Sequence, residues 1–343
     1  MTGILSMNTL FSPLTFRSLT LKNRLVVSPM CQYSAQNGMA NDWHFAHLAR
    51  FGLGGFAMVM VEATAVVPEG RITYADLGLW DDAQIAPLKR IADFLHTQGA
   101  AAAIQIGHAG RKASTPLWWR GSFNETEAEK AEFAFADWEP VAPSALPMTA
   151  NAKMPRALTL AEIEALPGFF ADAARRALAA GFDCVEIHAA HGYLLNQFLS
   201  PIANKRTDAY GGSRENRMRL LLQIAEAVRA IWPQDKPLFT RISATDAIEG
   251  GWTIEDSLVL ARELKNRGVD VVDCSSGGFD GAAITAGPGY QVSHAAALKA
   301  VPGLATMAVG LITEPQQADT IIRSGQADLI AMGREALDDP NWP

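Results

Sequence analysis

Cysteine is scarce in this chain. Among 343 residues there are three cysteines, Cys31, Cys184 and Cys274, and no two of them lie close together in the sequence. Disulfide frameworks and cysteine-rich zinc sites depend on closely spaced cysteines, so neither is expected here. Free cysteines are typical of proteins of the reducing cytosol, and we therefore expect a cytoplasmic protein.

Clustered positive charge and long apolar runs are missing as well. The chain carries 36 acidic and 29 basic side chains and no basic stretch, so binding to nucleic acid or to anionic membranes is not expected. The longest charge-free stretch, Gly281–Leu298, is interrupted by Gly287, Pro288 and Gly289, whereas a spanning helix needs about 20 apolar residues. The N-terminal MTGILSMNTL has no basic region followed by an apolar run, so we expect no signal peptide.

The residues that are present indicate a large buried core. A hydrophobic share of 49% against a charged share of 19% is typical of a globular chain. A length of 343 residues fits two or three ordinary domains or one large barrel. Eight short apolar runs without alternation predict strands that are covered on both faces. They are Leu25–Met30, Phe56–Thr64, Ala102–His108, Cys184–Ala190, Leu238–Ala244, Val271–Gly277, Thr306–Ile312 and Ala327–Arg334.

Helical patterns separate these strands. They cover Asp82–Gln98, Thr159–Ala180, Arg214–Trp232, Thr253–Arg267 and Glu314–Ser324, and several end at a glycine. Strands that alternate with helices in this way predict a (β/α)8 barrel, an α/β fold formed by residues 1–343 as one domain. The alternative is an open doubly wound sheet, but no G-x-G-x-x-G follows the first strand.

The spacing of the strands is uneven in one place. The third and fourth strands begin 82 residues apart, at Ala102 and Cys184, and the excess lies in Lys112–Ala157, which is rich in Trp, Pro and acidic residues. We interpret this segment as a lid over the active face, and the alternative is a solvated excursion with one short helix. Before the first strand, Leu14–Lys22 alternates weakly and predicts a hairpin that closes the bottom of the barrel.

In such barrels the catalytic and binding residues lie at the carboxyl ends of the strands. Gly310, Gly333 and Arg334 lie near the ends of the seventh and eighth predicted strands, where barrels commonly bind phosphate through backbone N–H groups. The alternative is that the two glycines only relieve crowding. Arg241 and Gln105 are polar residues within apolar strands, and a buried guanidinium there needs an anion or an electron-rich ring as its partner.

His188, His191 and Tyr193 form the most informative cluster. The two histidines could bind a metal, but no HExxH is present and no carboxylate or thiolate is suitably spaced to complete a zinc site. They could also be ordinary core histidines. We favour a third interpretation, in which two N–H donors hold a substrate oxygen and Tyr193 supplies a proton. Cys31, taken alone, is typical of a small hydrophobe in a packed barrel.

Together the motifs resemble the Old Yellow Enzyme family of ene-reductases, near its thermophilic-like and xenobiotic reductase subgroup. The resemblance runs from about Leu10 to Pro343. It rests on SPMCQY (Ser28–Tyr33), NDWH (Asn41–His44), EATAV (Glu62–Val66), EGRIT (Glu69–Thr73), QIGHAGRKAS (Gln105–Ser114), HAAHGYLLNQFLSP (His188–Pro201) and NKRTDAYGGSRENR (Asn204–Arg217).

The resemblance implies an FMN-dependent barrel. The positions that match the flavin site are Ser28, Pro29, Met30, Cys31, Ala63, Gln105 and Arg241, with Gly310, Gly333 and Arg334 at the phosphate. Cys31 is expected near the isoalloxazine ring, Gln105 at its pyrimidine edge and Arg241 at the N1/C2 carbonyl side. A guanidinium suits that place because the reduced flavin is anionic.

The resemblance also implies a reaction. NADPH or NADH reduces the flavin, and N5 then transfers a hydride to the β-carbon of an electrophilic alkene such as an enone, an enal, a maleimide or a nitroalkene. His188 and His191 are expected to hold the carbonyl oxygen, Tyr193 to protonate the α-carbon and Tyr33 to shape the substrate pocket. A homo-oligomer, either a dimer or a tetramer, is expected.

Two features depart from the subgroup. Its chains normally continue after the eighth strand through a helix and a tail that often places an arginine in a neighbouring protomer. Here the sequence stops at Pro343, soon after Arg334, so we expect the usual C-terminal helix and tail to be absent. Residues 112–157 also look longer than in the compact members. The alternative functions are another FMN barrel dehydrogenase, a metal-dependent hydrolase that uses His188 and His191, and a non-catalytic flavin-binding barrel.

Overall fold

Parallel strands closed into a barrel organise the chain. The computed structural model describes residues 8–117 and 137–343. In chain order the strands are Leu14–Phe16 (β1), Leu19–Leu21 (β2), Leu25–Val27 (β3), Met58–Ala65 (β4), Ala101–Gly107 (β5), Val141–Ala142 (β6), Arg156–Ala157 (β7), Cys184–Ala189 (β8), Leu238–Ser243 (β9), Val271–Ser275 (β10), Ala305–Ala308 (β11) and Leu329–Met332 (β12). The barrel order is β3-β4-β5-β8-β9-β10-β11-β12, and β12 pairs with β3 to close the ring. The (β/α)8 prediction is therefore confirmed.

Helices cover the outside of the barrel. They are Asp42–Leu53 (α1), Ile85–Thr97 (α2), Leu160–Ala179 (α3), Leu194–Leu199 (α4), Arg214–Ile231 (α5), Ile254–Asn266 (α6), Val292–Leu298 (α7), Pro315–Arg323 (α8) and Arg334–Asp338 (α9), with single 3-10 turns at Pro68–Gly70, Asp82–Gln84 and Gly110–Lys112. The five helices expected from the sequence correspond to α2, α3, α5, α6 and α8. Among the helices in the described parts of the chain, none is long and apolar enough to cross a membrane.

Four of these helices were missed by the sequence patterns. Three of them, α4, α7 and α9, have seven residues or fewer, too short for a 3.6-residue period to repeat. The fourth, α1, has 12 residues and begins at a capping box in which the side chain of Asn41 accepts from Trp43 N–H. The short helix α9 comes directly after β12, and the expected absence of the subgroup's C-terminal helix and tail stays a prediction.

The interior of the barrel has an apolar end and a polar end. Its apolar end contains Val26, Met58, Cys184, Phe239 and Met307, all fully buried. The β1–β2 hairpin covers this end, and the rings of Phe16 and Phe239 meet edge to face at 5.8 Å. The predicted bottom hairpin at Leu14–Lys22 is thus confirmed. Because this end is plugged, the opposite end, where the strands finish, is the one open to ligands.

The long segment between β5 and β8 is partly described. Residues 118–136, the centre of the expected lid, lie outside the described residues, so the lid stays a prediction. On the return side, Val141 pairs with Arg156 in a two-stranded sheet of β6 and β7. The indole N–H of Trp138 donates to Glu69 O at 2.9 Å, and Arg111 donates to Pro147 O at 3.2 Å. These contacts dock the returning segment against the loops that follow β4 and β5.

Two loops at the open end pass unusually close to each other. Gly278, in the loop after β10, has φ +116°, and a Cβ atom placed on it would lie 2.1 Å from the carbonyl carbon of His191 in the loop after β8. Nothing larger than a glycine fits there without moving one of the two backbones. The approach of these loops therefore helps to place His191.

We predict that Gly278→Ala lowers the midpoint of thermal unfolding much more than Gly281→Ala does. Gly281 is the matched control, since it also has positive φ (+81°) but would have no atom within 4 Å of an added Cβ. The control should show only the conformational cost of a left-handed residue, about 1–2 kcal/mol. Circular dichroism melts of both variants measure the difference. Equal shifts would contradict the close approach of the two loops.

Candidate active site

A cavity of about 640 Å³ opens at the carboxyl ends of β3, β9, β10, β11 and β12. Its volume is in the range of sites that bind cofactors and drug-sized ligands. Eight of the residues singled out in the sequence line it: Ser28, Pro29, Met30, His191, Arg241, Gly310, Gly333 and Arg334. The lining also includes Ser275, Tyr290 and Gln291. The fold thus brings together residues that are up to 306 positions apart in the chain.

One end of this cavity is rich in unused hydrogen-bond donors. Among the described residues, the backbone N–H groups of Gly310, Leu311, Gly333 and Arg334 donate to no acceptor, and the guanidinium of Arg334 has no ion-pair partner. Ser28 Oγ is buried without a hydrogen bond. Polar groups gathered in this way around a cavity suit an anion such as a phosphate.

The two glycines at that end have different roles. A Cβ on Gly310 would lie 3.0 Å from the ring of Tyr290, so this glycine does relieve crowding, and its φ of +125° also requires glycine. On Gly333 the nearest atom to an added Cβ would be Met30 Sδ at 3.6 Å, which is ordinary contact. Crowding therefore explains Gly310 but not Gly333.

Charged side chains fill the polar end of the barrel interior. Arg241 Nε lies 3.0 Å from Asp273 Oδ2, and Gln105 Nε2 donates to Glu186 Oε1 at 2.8 Å. The anion that the sequence required for Arg241 is thus a carboxylate. Burial raises the pKa of both carboxyls, that of Glu186 to about 8, while Arg241 opposes the shift.

Glu186 and Asp273 were missed in the sequence patterns. A signal was available, because each is a single acidic residue within an otherwise apolar strand, in CVEIHA and in VVDCS. Acidic residues are almost never fully buried unless they are paired. The chain pattern gives no indication of which partner they meet, since Asp273 and Arg241 become neighbours only through the β9–β10 register.

The rings of His188, His191 and Tyr193 meet edge to face at the mouth of β8. The ring centroids of the two histidines are 5.2 Å apart, and those of His188 and Tyr193 are 4.9 Å apart. Burial, and then the positive charge of Arg241, hold the pKa of both imidazoles well below the usual value. Burial raises the pKa of the Tyr193 phenol. At neutral pH the site therefore contains two uncharged imidazoles and a protonated phenol.

A narrow cleft of about 20 Å³ adjoins these rings. It is lined by Ala63, His188 and Tyr193 together with Arg71, Asp76 and His108. Burial lowers the pKa of His108 to about 4, so this imidazole is also neutral. Asp76 is buried; its Oδ2 accepts from Thr73 N–H, and its Oδ1 has no partner among the described residues. Burial raises the pKa of Asp76 to about 8, which makes it a neutral acid in the wall of the cleft.

The backbone of His191 is held in a strained conformation. Its φ is +59°, and its N–H donates to Ser243 Oγ at 2.9 Å. The ammonium of Lys112 donates to both His191 O and Gly278 O at 2.6 Å. A left-handed non-glycine residue costs free energy and persists only where its surroundings hold it. Lys112 and Ser243 supply those contacts.

The sequence patterns assigned no role to Lys112, Ser243 or Ser275. Ser243 and Ser275 end β9 and β10, so the rule that barrel chemistry collects at strand ends could have found both. Lys112 is one residue of the motif QIGHAGRKAS, and no pattern in the sequence distinguished it from the rest of that motif.

Three predicted residues lie beside the cavity rather than in its wall. Cys31 follows Met30 and lies near the backbone of Ala63; burial, and then Asp76 and Glu62, raise the pKa of its thiol. Tyr33 has φ +50° and packs with Tyr74 and Leu117. Leu117 is the last described residue before positions 118–136. Gln105 lies inside the barrel, where it donates to Glu186.

Among the described residues, no further side chain is placed to bind a metal ion together with His188 and His191. Within residues 8–117 and 137–343, no three His, Cys, Asp or Glu side chains are grouped so that they could hold a metal ion. The donors that surround the large cavity are instead N–H groups and cations.

A protein family model and individual relatives both match this chain over nearly its whole length. The model of the NADH:flavin oxidoreductase / NADH oxidase family matches residues 9–343. An NADPH dehydrogenase of Geobacillus thermodenitrificans is 46% identical over 340 residues, which cover 98% of this chain and 93% of the relative. An NADPH dehydrogenase of another Geobacillus strain is 44% identical and covers 97% and 92%.

Solved structures show the same fold. Morphinone reductase superposes with a TM-score of 0.80 at 27% identity, over 98% of this chain and 88% of its own. A 2-naphthoyl-CoA reductase superposes with a TM-score of 0.87 at 29% identity over 98% of this chain. The present chain spans about half, 51%, of the length of that enzyme.

We predict that Asp76→Asn stabilises the protein in a pH-dependent manner. The pKa of Asp76 is raised to about 8, so the folded state holds its proton more tightly than the unfolded state does. The resulting stability is complete below the unfolded value near 4 and is lost as the pH rises through 8. The gain in Tm of the variant over the parent should therefore grow between pH 5 and pH 9.

Asp280→Asn is the control, since Asp280 is exposed in a loop. Its Tm difference from the parent should not grow with pH in this way. A difference for Asp76→Asn that stays constant from pH 5 to pH 9 would show that Asp76 titrates normally.

Proposed function

The chain belongs to the NADH:flavin oxidoreductase / NADH oxidase family, the family of Old Yellow Enzyme, and from this premise we propose that it is an ene-reductase. Membership makes it an FMN-dependent oxidoreductase that uses NADPH or NADH as reductant. The proposed substrates are alkenes activated by a carbonyl group, namely enones, enals and maleimides, and also nitroalkenes. The observation that carries the proposal is the pair of neutral imidazoles beside the phenol of Tyr193 at the mouth of β8.

The cavity suits FMN in both size and donor set. The unused N–H groups at Gly310, Leu311, Gly333 and Arg334, with the Arg334 guanidinium, would hold the phosphate. Ser28, Pro29, Met30, Ala63, Gln105 and Arg241 would hold the ring system, with Cys31 next to it. When bound, FMN supplies the hydride that the alkene receives at its β-carbon.

The histidine pair would act on the substrate carbonyl. His188 and His191 are held neutral by burial and by Arg241, so each can offer one N–H and neither brings a counter-charge of its own. Two such donors stabilise the negative charge that develops on the oxygen during hydride addition. The β-carbon becomes more electrophilic as a result.

Tyr193 would supply the proton to the α-carbon. Its phenol is protonated at neutral pH because burial raises its pKa. The phenolate left behind is negatively charged. Arg241, whose positive charge lowers the pKa of the Tyr193 phenol, and the ammonium of Lys112, 5.5 Å from the centroid of the ring, are nearby cations that stabilise it. Tyr33 would line the pocket on the side of the long segment.

Other features of the protein stay predictions from its sequence. They are a cytoplasmic location, assembly into a dimer or a tetramer, and a lid formed by residues 112–157. For the alternative of a metal-dependent hydrolase, the described residues offer no third ligand beside His188 and His191.

A substrate screen tests the proposal directly. We expect turnover with cyclohexenone, with maleimide and with a nitroalkene, each assayed with NADPH and with NADH. Product analysis should show the saturated carbonyl or nitro compound. If the enzyme oxidises NADPH with oxygen but reduces none of these alkenes, the ene-reductase proposal is wrong.

We predict that Tyr193→Phe separates the two half-reactions. Loss of the proton donor should slow alkene reduction by about 10²–10⁴-fold, the usual contribution of a positioned general acid, and leave flavin reduction by NADPH nearly unchanged. Anaerobic stopped-flow measurement of flavin bleaching and of its reoxidation by cyclohexenone gives both rates. Tyr290→Phe, which changes a tyrosine that lines the large cavity, is the control and should change the two rates to a similar extent. An equal loss in both half-reactions of Tyr193→Phe would remove Tyr193 from the proton-donor role.

A further inference from the structure

The narrow cleft beside His188 and Tyr193 is separate from the large cavity. Among the described residues, those that line the cleft do not also line the cavity of about 640 Å³. Asp76, in the loop after β4, forms part of the wall of the cleft and is only 1% exposed. Its Oδ2 accepts from Thr73 N–H, whereas its Oδ1 has no hydrogen-bond partner in the described parts of the chain. A buried carboxyl oxygen of this kind is expected to bond to water or to a ligand.

The cleft has room for about one water molecule. A buried water needs roughly 10–15 Å³ and about two to four polar partners, and the cleft measures about 20 Å³. Asp76 Oδ1 is one polar atom beside it. The hydroxyl of Tyr193 is another, because Tyr193 lines the same cleft and its oxygen forms no hydrogen bond with the described residues and is not a buried unpartnered atom. A water in the cleft can bridge these two side chains.

The proposed reaction requires a supply of protons at Tyr193. In each turnover the phenol gives its proton to the α-carbon, and the phenolate must be protonated again before the next alkene is reduced. Burial raises the pKa of Asp76 to about 8, so its carboxyl holds a proton at neutral pH. Burial also raises the pKa of the Tyr193 phenol above its usual value of about 10. Transfer of a proton from Asp76 to the phenolate is therefore favourable by on the order of a hundredfold or more.

We propose that Asp76 returns to Tyr193 the proton that the phenol gives to the substrate, through one water molecule in the cleft between them. The inference rests on the proposed function, in which Tyr193 protonates the α-carbon. The O–H bond of Asp76 breaks and its proton passes to the water, while the water passes one of its own protons to the phenolate oxygen. The Asp76 carboxylate then takes a proton from solvent on the side of the cleft formed by Arg71 and Ile72, which are both half-buried.

The surroundings of Asp76 contain no better donor. Burial raises the pKa of the thiol and of both phenols that face Asp76, and it lowers the pKa of both imidazoles, so none of these groups releases a proton as readily. The charged or titratable groups that face Asp76 are Cys31 and Tyr33 after β3, Glu62 in β4, Arg71 in its own loop, His108 after β5, and His188 and Tyr193 at the end of β8.

Lys112 is a second group near Tyr193 whose pKa is about 8, because burial lowers it. Its ammonium, however, donates to both His191 O and Gly278 O, and Lys112 does not line the cleft. Loss of its proton would remove a charge that holds the strained backbone of His191. Asp76 has no bond at Oδ1 to lose, so it is the better source of the proton.

The proton on Asp76 and the bridging water can be observed without turnover. We would label the FMN-loaded enzyme with ¹³C at the aspartate carboxyls and record its infrared spectrum between pH 6 and pH 10. We expect a protonated-carboxyl band that is lost as the pH rises through 8 and is missing from Asp76→Asn. A high-resolution crystal structure of the loaded enzyme should show a water bonded to both Asp76 Oδ1 and Tyr193 Oη. An ionised Asp76 at pH 6, or a cleft without that water, would overturn the proposal.

The pH dependence of turnover tests the proton supply. The kcat of the parent with cyclohexenone and NADPH should fall as the pH rises through 8, because ionised Asp76 has no proton to give. Asp76→Asn should lower kcat at pH 7 by about 10²-fold, the lower end of the contribution of a positioned proton donor, and should abolish the fall near pH 8. Asp76→Glu, which keeps an acid, should restore most of the rate. If Asp76→Asn keeps the parental kcat or the fall near pH 8, another group such as Lys112 or Glu186 supplies the proton.

The first turnover distinguishes proton supply from a structural defect. In anaerobic stopped-flow experiments, pre-reduced Asp76→Asn should reduce its first equivalent of cyclohexenone at about the parental rate, since Tyr193 already carries a proton. Flavin reduction by NADPH should also be as in the parent. A slow first turnover, or equal losses in both half-reactions, would show that Asp76 acts on the structure of the site instead. Glu69→Gln is the matched control, because it removes an exposed carboxyl from the same loop, and it should keep the parental kcat and pH profile.

Failure of this inference is distinguishable from failure of the proposed function. If the parent enzyme reduces no alkene, the proposed function is wrong, even where the infrared band places a proton on Asp76. If the parent reduces alkenes and Asp76→Asn does so with the same kcat and pH profile, the proposed function stands and Asp76 does not supply the proton.

Discussion

The ion pair between Arg241 and Asp273 is the interaction on which the chemistry of this barrel depends. A guanidinium inside a barrel is tolerable only if it is paired, and Asp273 lies 3.0 Å from it. The positive charge of Arg241 affects the pKa values of the titratable groups around it. It contributes to the lowered pKa of His188 and His191, and it opposes the rise in the pKa of Glu186 and Asp273. One buried cation thus helps set the protonation of the carboxyls on one side and of the imidazoles on the other.

The ion pair lies at the polar end of the barrel interior because apolar side chains fill the other end. Packing of Phe16 against Phe239 closes one end with apolar side chains, and no charge could be buried there without a partner. At the other end the strands finish in residues such as Ser243 and Ser275, whose hydroxyls bond to the loops. The strained turn at His191 is stable because Lys112, Ser243 and the close approach of Gly278 all hold it. Rigid support of this kind is what a site needs if two donors are to meet at one oxygen.

Much of the fold could be predicted from the sequence because strands buried on both faces give continuous apolar runs. All eight barrel strands, from Leu25–Val27 to Leu329–Met332, were predicted, along with every helix of nine residues or more except α1. Short helices such as α4 and α7 were missed because fewer than two turns are too few for the period to repeat. Of the site, Arg241 within β9 and Arg334 just after β12 could be found from their place relative to the predicted strands. Glu186 and Asp273 could not be given partners, because no local pattern shows which acidic and basic residues the barrel register brings together.

The sequence by itself determined the barrel, the flavin family and the residue types at the active end, because apolar runs and strand-end motifs are local properties of a chain. Only the tertiary structure decided that Asp273 is the partner of Arg241, that Gly278 and Lys112 hold the backbone of His191, and that Ser275 contacts its Nε2. Each of these contacts joins residues 32 to 87 positions apart. Their charge states and hydrogen bonds depend on distances and burial that exist only once the strands have closed into the barrel.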